Sequence, residues 1–127
     1  MVKIVCKMPA LLISGMIWFL SSQSVLPSPK GILGFDKVQH LLAYGVFAGT
    51  LGLWFSLQQW KKSPFRCMVW VIIIAVAYGV SDEIHQSFVP GRDCNVWDWF
   101  ADTLGAIIGA GLVMVSVRKL ELTRPAD

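Results

Sequence analysis

The densest group of chemically reactive side chains lies in one stretch, residues 81–92, which reads Ser-Asp-Glu-Ile-His-Gln-Ser-Phe-Val-Pro-Gly-Arg. On a helix, Asp82, Glu83 and His85 would occupy adjacent turns and could supply a general acid and a general base. Neighbouring carboxyl groups favour such chemistry, because one can stay protonated while the other ionises. We therefore predict Asp82, Glu83 and His85 as candidate catalytic residues.

Other parts of the chain supply further polar groups. Asp36, His40 and Tyr44 are spaced by four residues, so a helix would place them on one face. Arg92 is followed by a pair of aspartates with the same four-residue spacing. Arg92 is the expected counter-charge of the acids, and its guanidinium could hold a phosphate or carboxylate of a substrate. The sequence thus predicts a shared pocket with the substrate-binding residues Asp36, His40, Tyr44, Gln86, Arg92, Asp98 and Asp102.

A metal site is the weaker interpretation of the same groups. The two histidines and the aspartates near them could bind zinc or another divalent ion only if several helices converged. The sequence contains no HExxH motif and no paired histidines at ligand spacing. We therefore predict no metal and no other cofactor. The cysteines form no CxxC pair; they are Cys6, Cys67 and Cys94.

The composition indicates a membrane protein. Of the 127 residues, 55% are hydrophobic and only 15% are charged, whereas a soluble domain carries about 25% charged residues. Eleven glycines and six tryptophans are typical of close helix packing and of membrane–water interfaces. This composition excludes disordered, collagenous and disulfide-rich secreted classes, and it argues against a soluble enzyme and against nucleic-acid binding.

Four apolar stretches must position the polar groups. We predict helices at about residues 4–22, 38–58, 67–86 and 98–118, each on the order of 20 residues, which is the length that crosses a bilayer core. Helices are favoured over strands because backbone groups in lipid must be satisfied within their own segment. The predicted fold is an all-α polytopic membrane protein, a four-transmembrane-helix bundle forming a single domain over residues 1–127.

The lysines and arginines predict the orientation of this bundle. With four spans, one side of the membrane receives eight of these bases, and the positive-inside rule makes that side cytoplasmic. A cleaved signal peptide is the alternative for the first stretch, but its removal would place the C-terminus outside, against this distribution. We predict a multi-pass protein of the cell (inner/cytoplasmic) membrane with both termini cytoplasmic. The eight bases are Lys3, Lys7, Lys61, Lys62, Arg66, Arg118, Lys119 and Arg124. The opposite, outer side of the membrane receives Lys30, Lys37 and Arg92.

Most acids and both histidines fall at the opposite, outer ends of the predicted helices. An unpaired charge at the edge of the hydrocarbon costs several kcal/mol, so such groups usually face the bundle interior and are paired or functional. Pairing that only ties helix ends together is therefore the structural alternative to a binding or catalytic pocket.

Small residues at helical spacing predict close helix contacts. Ala101, Gly105 and Gly109 form one ridge, and Gly45 and Gly49 belong to another. Such ridges let helix backbones approach each other, either within one chain or between protomers. The sequence therefore allows an oligomer held together by these helix faces, but it does not decide between the two kinds of contact.

Four blocks of the sequence resemble the VanZ-like membrane proteins. They are Ser21-Ser22-Gln23, then Asp36-Lys37-x-x-His40 with Tyr44, then residues 81–92, and finally residues 98–105 with Gly109. The resemblance extends from Met8 to about Val117 and implies a small helical membrane protein. The family takes its name from a factor that confers low-level resistance to teicoplanin, a lipoglycopeptide. Many members carry Asn where this chain has Asp102, so no fixed charge is implied there.

The pocket and the resemblance together predict an integral membrane protein of the cell envelope. Its extracytoplasmic pocket is expected to bind or act on an envelope lipid or glycopeptide-like molecule, and the resemblance implies a link to glycopeptide resistance. Two alternatives stay open: a membrane-embedded hydrolase or transferase acting on a lipid phosphate, and a structural helix bundle that binds a partner without chemistry. The expected partners are membrane lipids and an envelope lipid or lipoglycopeptide, not nucleic acid.

Overall fold

The computed structural model describes residues 6–24 and 34–122, and every regular element within those ranges is helical. Three of the bases used to predict orientation lie outside these ranges, as does the predicted start of the first helix. The predicted all-α class is confirmed. The described helices are α1 (Met8–Ser21), α2 (Phe35–Leu51), α3 (Leu57–Lys62), α4 (Pro64–Gln86) and α5 (Val96–Leu122), with a 3-10 helix at Gly52–Trp54.

Two of these helices are long and apolar enough to cross a membrane by length and composition. They are α4, with 23 residues, and 25 residues of α5, Val96–Leu120. The other two main helices are shorter than predicted, with 14 residues in α1 and 17 in α2.

The second predicted helix is interrupted near residue 52 and does not run on to residue 58. Phe55 has an extended backbone, and Ser56 then starts the separate helix α3. The Ser56 side chain accepts a hydrogen bond from the Gln59 backbone N–H, while the Gln59 side chain accepts one from the Ser56 backbone N–H. This capping box satisfies two backbone donors and fixes the start of a new helix.

The most extensive contact between described helices joins α2 to α5, and glycines make it possible. A Cβ on Gly105 would collide with the backbone carbonyl oxygen of Leu41, and one on Gly109 would collide with that of Gly45. The two backbones therefore touch. The predicted small-residue ridges meet within one chain, and the buried Ala48 lies at the contact, with its Cβ 3.2 Å from the position of a Cβ on Gly109.

Hydrogen bonds from aromatic side chains join other elements of the bundle. Tyr78 of α4 donates a hydrogen bond from its hydroxyl to the Ser14 carbonyl of α1, at 2.6 Å. Trp60 of α3 donates from its indole N–H to the Gly52 carbonyl, at 2.9 Å. Because Trp60 is only 2% exposed, it packs inside the protein and does not belong to an interfacial belt of aromatic residues.

Candidate functional site

Four carboxyl groups meet where the end of α4 packs against the start of α5. Asp82 and Glu83 come from α4, Asp98 and Asp102 come from α5, and all four are buried. The local sequence creates this junction: the Asn95 side chain accepts a hydrogen bond from the Trp97 backbone N–H at the start of α5. The Asn95 backbone N–H donates to Glu83 Oε2 at 2.8 Å, which joins the two helix ends.

The most enclosed carboxylate of the four, Asp102, pairs with a histidine of α2. His40 Nδ1 lies 2.9 Å from Asp102 Oδ1, and the two side chains are 12% and 0% exposed. Since a buried carboxylate is stable only when it is paired or hydrogen-bonded, this contact explains how Asp102 is accommodated. The predicted neighbourhood of these two residues is therefore present.

Lys37 supplies the fixed positive charge of the site. Its ammonium lies 2.5 Å from Asp36 Oδ2 and 2.8 Å from Asp98 Oδ1, so it bridges α2 and α5. Asp36 lies at the exposed start of α2, and its carboxylate accepts a hydrogen bond from the Lys37 ammonium. Sequence reasoning missed Lys37 as a site residue, although its position three residues before His40 places both on one helix face.

Gln86 provides hydrogen bonds to the carboxyl groups of the two acids on its own helix. Its amide nitrogen donates to Asp82 Oδ2 at 3.2 Å and to Glu83 Oε1 at 3.4 Å. Other buried atoms stay unsatisfied: Asp82 Oδ1, Asp102 Oδ2 and the Tyr44 hydroxyl have no hydrogen-bond partner among the described residues. Buried polar atoms without partners are uncommon and indicate either strain or an additional bound group.

His85 lies apart from the two carboxylates with which it was predicted to act. Its ring stacks on Trp18 of α1 with centroids 3.9 Å apart, and its Nε2 lies 2.9 Å from Ser22 Oγ. The helix geometry explains the separation from Glu83, because two residues correspond to a rotation of about 200°. The structure therefore brings Asp82 and Glu83 together but directs His85 toward α1.

Arg92 makes contacts that differ from the predicted counter-charge role. Its guanidinium donates from Nε to the Gln23 carbonyl at 3.0 Å and from Nη2 to the Leu20 carbonyl at 3.2 Å. These carbonyls lie at and just beyond the C-terminal end of α1, where a cation is favoured by the helix dipole. The described ion pairs of the acids go instead to Lys37 and His40.

A cavity of about 320 Å³ opens between α1, α2 and α4, beside this cluster. One part of its wall is apolar and includes Ile17, Leu20 and Ala43. The cavity does not include Asp36 or His85, and Glu83, Asp98 and Asp102 do not line it. Five of the predicted site residues do: His40, Tyr44, Asp82, Gln86 and Arg92.

The model of a membrane-protein family described as VanZ/LLP1 matches residues 5–117, which is most of the chain. Curated proteins and solved structures give no match.

Proposed function

Because the chain belongs to the VanZ/LLP1 family of membrane proteins, we propose that it is a multi-pass membrane protein that binds the polar end of an envelope lipid. The observation that carries the proposal is the cavity beside His40. Its volume of about 320 Å³ lies within the size range of small-molecule sites. The predicted resemblance to this family is confirmed by the match, while the ligand is our proposal.

The two kinds of cavity wall suit a molecule that is polar at one end and apolar at the other. Ile17, Leu20 and Ala43 can contact hydrocarbon, whereas His40 and Arg92 can contact a charged group. A guanidinium carries five N–H groups, and the two bonds to α1 carbonyls leave others for a phosphate or carboxylate. An anionic lipid headgroup fits this donor set.

The outer surface of the bundle supports four membrane-spanning segments. Each main helix exposes large apolar side chains, among them Leu12 at 67%, Leu42 at 60%, Phe65 at 64% and Leu112 at 63%. Soluble proteins rarely expose apolar surface on this scale, so lipid is the medium that this exterior suits. We therefore place α1, α2, α4 and α5 in the membrane, although α1 and α2 are short.

The charges at the two ends of α4 support an outward-facing cavity. Lys61 and Lys62 end α3, just before α4, and Arg66 lies in the first turn of α4. Asp82 and Glu83 lie in the last two turns of α4. By the positive-inside rule, the start of α4 is cytoplasmic and the cavity faces the outside of the cell. Both termini are then cytoplasmic.

Filling the cavity tests this proposal. The full chain is purified in mild detergent, and the lipids that co-purify with it are quantified by mass spectrometry. Ala43→Phe is expected to reduce the bound lipid at least about tenfold, because the ring occupies the apolar wall. Val38→Phe is the matched control, since Val38 lies on the same helix and is 50% exposed. Equal lipid in wild type and Ala43→Phe would contradict the proposal.

A lipid-phosphate hydrolase or transferase is a second candidate, supported by the unpartnered Asp82 Oδ1 on the cavity wall. A carboxyl group in this position could exchange a proton with a bound substrate. Turnover of a lipid phosphate by the purified protein, and its loss in Asp82→Asn with lipid still bound, would distinguish catalysis from binding. The link to glycopeptide resistance stays a prediction.

A further inference from the structure

We propose that His40, Glu83 and Asp98 form a binding site for one divalent transition-metal ion. The three residues come from α2, α4 and α5, which are distant in the sequence. Each offers one ligand atom, and these three atoms all lie within 4.8 Å of one another. The proposal goes beyond lipid binding and does not depend on it.

The spacing of the ligand atoms is close to what a small cation requires. Zinc binds imidazole nitrogen and carboxylate oxygen at about 2.0–2.2 Å, so neighbouring ligands of a tetrahedral ion are about 3.3–3.6 Å apart. Side-chain rotation can close the remaining difference. Each of the three side chains already offers a ligand atom at the same junction of three helices.

Asp102 prepares His40 for this role. A metal-bound histidine usually donates its other ring N–H to a carboxylate, which fixes the tautomer and the direction of the ring. His40 Nδ1 and Asp102 Oδ1, 2.9 Å apart, form this kind of pair. Since Nδ1 contacts Asp102, Nε2 of His40 is the proposed ligand atom. Asp102 is therefore a positioning residue.

The unpartnered buried atoms beside His40 are a second observation that favours an additional bound group here. Asp82 and Tyr44 are each 1% exposed and line the same cavity as His40. Asp82 Oδ1 and the Tyr44 hydroxyl have no partner among the residues that the structure describes. A water molecule bound to the ion could hydrogen-bond to atoms in these positions, and it would complete a set of three protein ligands.

The local charges also favour a cation. Four buried carboxyl groups surround the site, and Lys37 is the described basic side chain with a fixed charge that contacts them. A divalent ion would offset part of this negative charge. The imidazole ligand favours zinc over magnesium or calcium, which prefer sites made only of oxygen, and the two carboxylate ligands would also suit manganese. Lys37 is 34% exposed, so it can move away from Asp98 when the ion binds.

Metal binding by the full chain in detergent tests the proposal. After treatment with a chelator, the protein is titrated with Zn²⁺ alone and then with Mn²⁺, by calorimetry and by elemental analysis. Wild type is expected to bind about one ion per chain. His40→Ala, Glu83→Gln and Asp98→Asn should each weaken binding at least about tenfold. His85→Ala and Asp93→Asn are matched controls outside the ligand set and should bind as wild type does.

Variants of Asp102 separate a role in positioning from a role in folding. Asp102→Asn keeps an acceptor for the His40 N–H and should retain most of the affinity, whereas Asp102→Leu should lose about 10- to 100-fold. The visible spectrum of bound Co²⁺ reports the ligand set directly and should change in Glu83→Gln, which preserves the shape of the side chain. Monodisperse gel filtration shows that each variant is folded.

Three outcomes would overturn the proposal. They are wild type that binds no Zn²⁺ or Mn²⁺ above the detergent blank, His40→Ala that binds as tightly as wild type, and an equal loss in the two control variants. Lipid binding is read separately. Ala43→Phe should keep the metal, so failure of the metal site and failure of the lipid cavity give different results.

Discussion

At the scale of single residues, the site depends on how each buried charge is balanced. Asp102 is fully buried and relies on His40, while Asp98 relies on Lys37. Glu83 relies on two neutral donors, the Asn95 backbone N–H and the Gln86 side chain. Removing one partner leaves a carboxyl group without compensation, which costs more than the contact itself contributes. Substitutions at these partners are therefore expected to affect stability and binding together.

His85 differs, because its contacts lie on α1 and not among the acids. We expect His85→Ala to lower the free energy of unfolding by about 1 kcal/mol, through loss of the stacking on Trp18. Lipid and metal binding should be unchanged. Thermal unfolding in detergent, combined with the lipid assay, checks this. If His85→Ala unfolds like wild type but no longer binds lipid, His85 belongs to the binding site after all.

Which residues gather could be predicted from spacing, but not which of them face each other. The four-residue spacing of Asp98 and Asp102 was enough to place both on one face of α5, and both are buried. The partners of Arg92 and the direction of His85 were not predictable, because they depend on how α1 sits against α4. The orientation of α1 relative to α4 is set by packing between the helices, and a single sequence does not specify that packing.

At the scale of helices, the contact between α2 and α5 holds two parts of the site at a fixed spacing. Because backbone lies directly on backbone at Gly105 and Gly109, this contact tolerates no added side chain. The ridges themselves were predictable from their small residues. Their pairing was not, because the same ridges could have met between two protomers. The interruption of α2 was also missed, since only the Ser56–Gln59 capping box marks it.

Gly105→Ala tests this contact. The added methyl group would collide with the Leu41 carbonyl, and we expect a loss of about 1–3 kcal/mol in the free energy of unfolding. Gly111→Ala on the same helix is the control, because its Cβ would meet nothing within 4 Å. There, the better helix propensity of alanine should leave stability unchanged or raise it by about 0.5–1 kcal/mol. Denaturant titration in detergent measures both, and an equal effect of the two would contradict the contact.

At the scale of the whole molecule, the proposed topology separates basic and acidic ends across the membrane. The all-α class and the family could be predicted from composition and motifs. The number of spans could not be fixed in the same way, because α1 and α2 are shorter than a full crossing. The structure also shows which residues can report the orientation. Cys6 and Cys94 are exposed, but Cys67 is buried.

Thiol labelling in intact cells tests the topology. A maleimide that cannot cross the membrane should label Cys94 and spare Cys6, and both should react after permeabilisation. Cys67→Ala removes a buried thiol that would stay unreactive on either side, which simplifies the readout. Labelling of Cys6 alone would reverse the orientation and place the cavity in the cytoplasm.

The contact at Gly105 also determines how long the acid at position 102 must be. Gly105 meets the carbonyl of Leu41, the neighbour of His40, and it lies one turn beyond Asp102. Helices separated by ordinary side chains have axes about 8–10 Å apart, where the single methylene of aspartate would reach less far across the gap. Here the glycines have no side chains to hold the helices apart, so the His40 ring lies within reach of aspartate, the shorter of the two acidic side chains. The short side chain of Asp102 is thus matched to the absence of a side chain at Gly105, one turn further along α5.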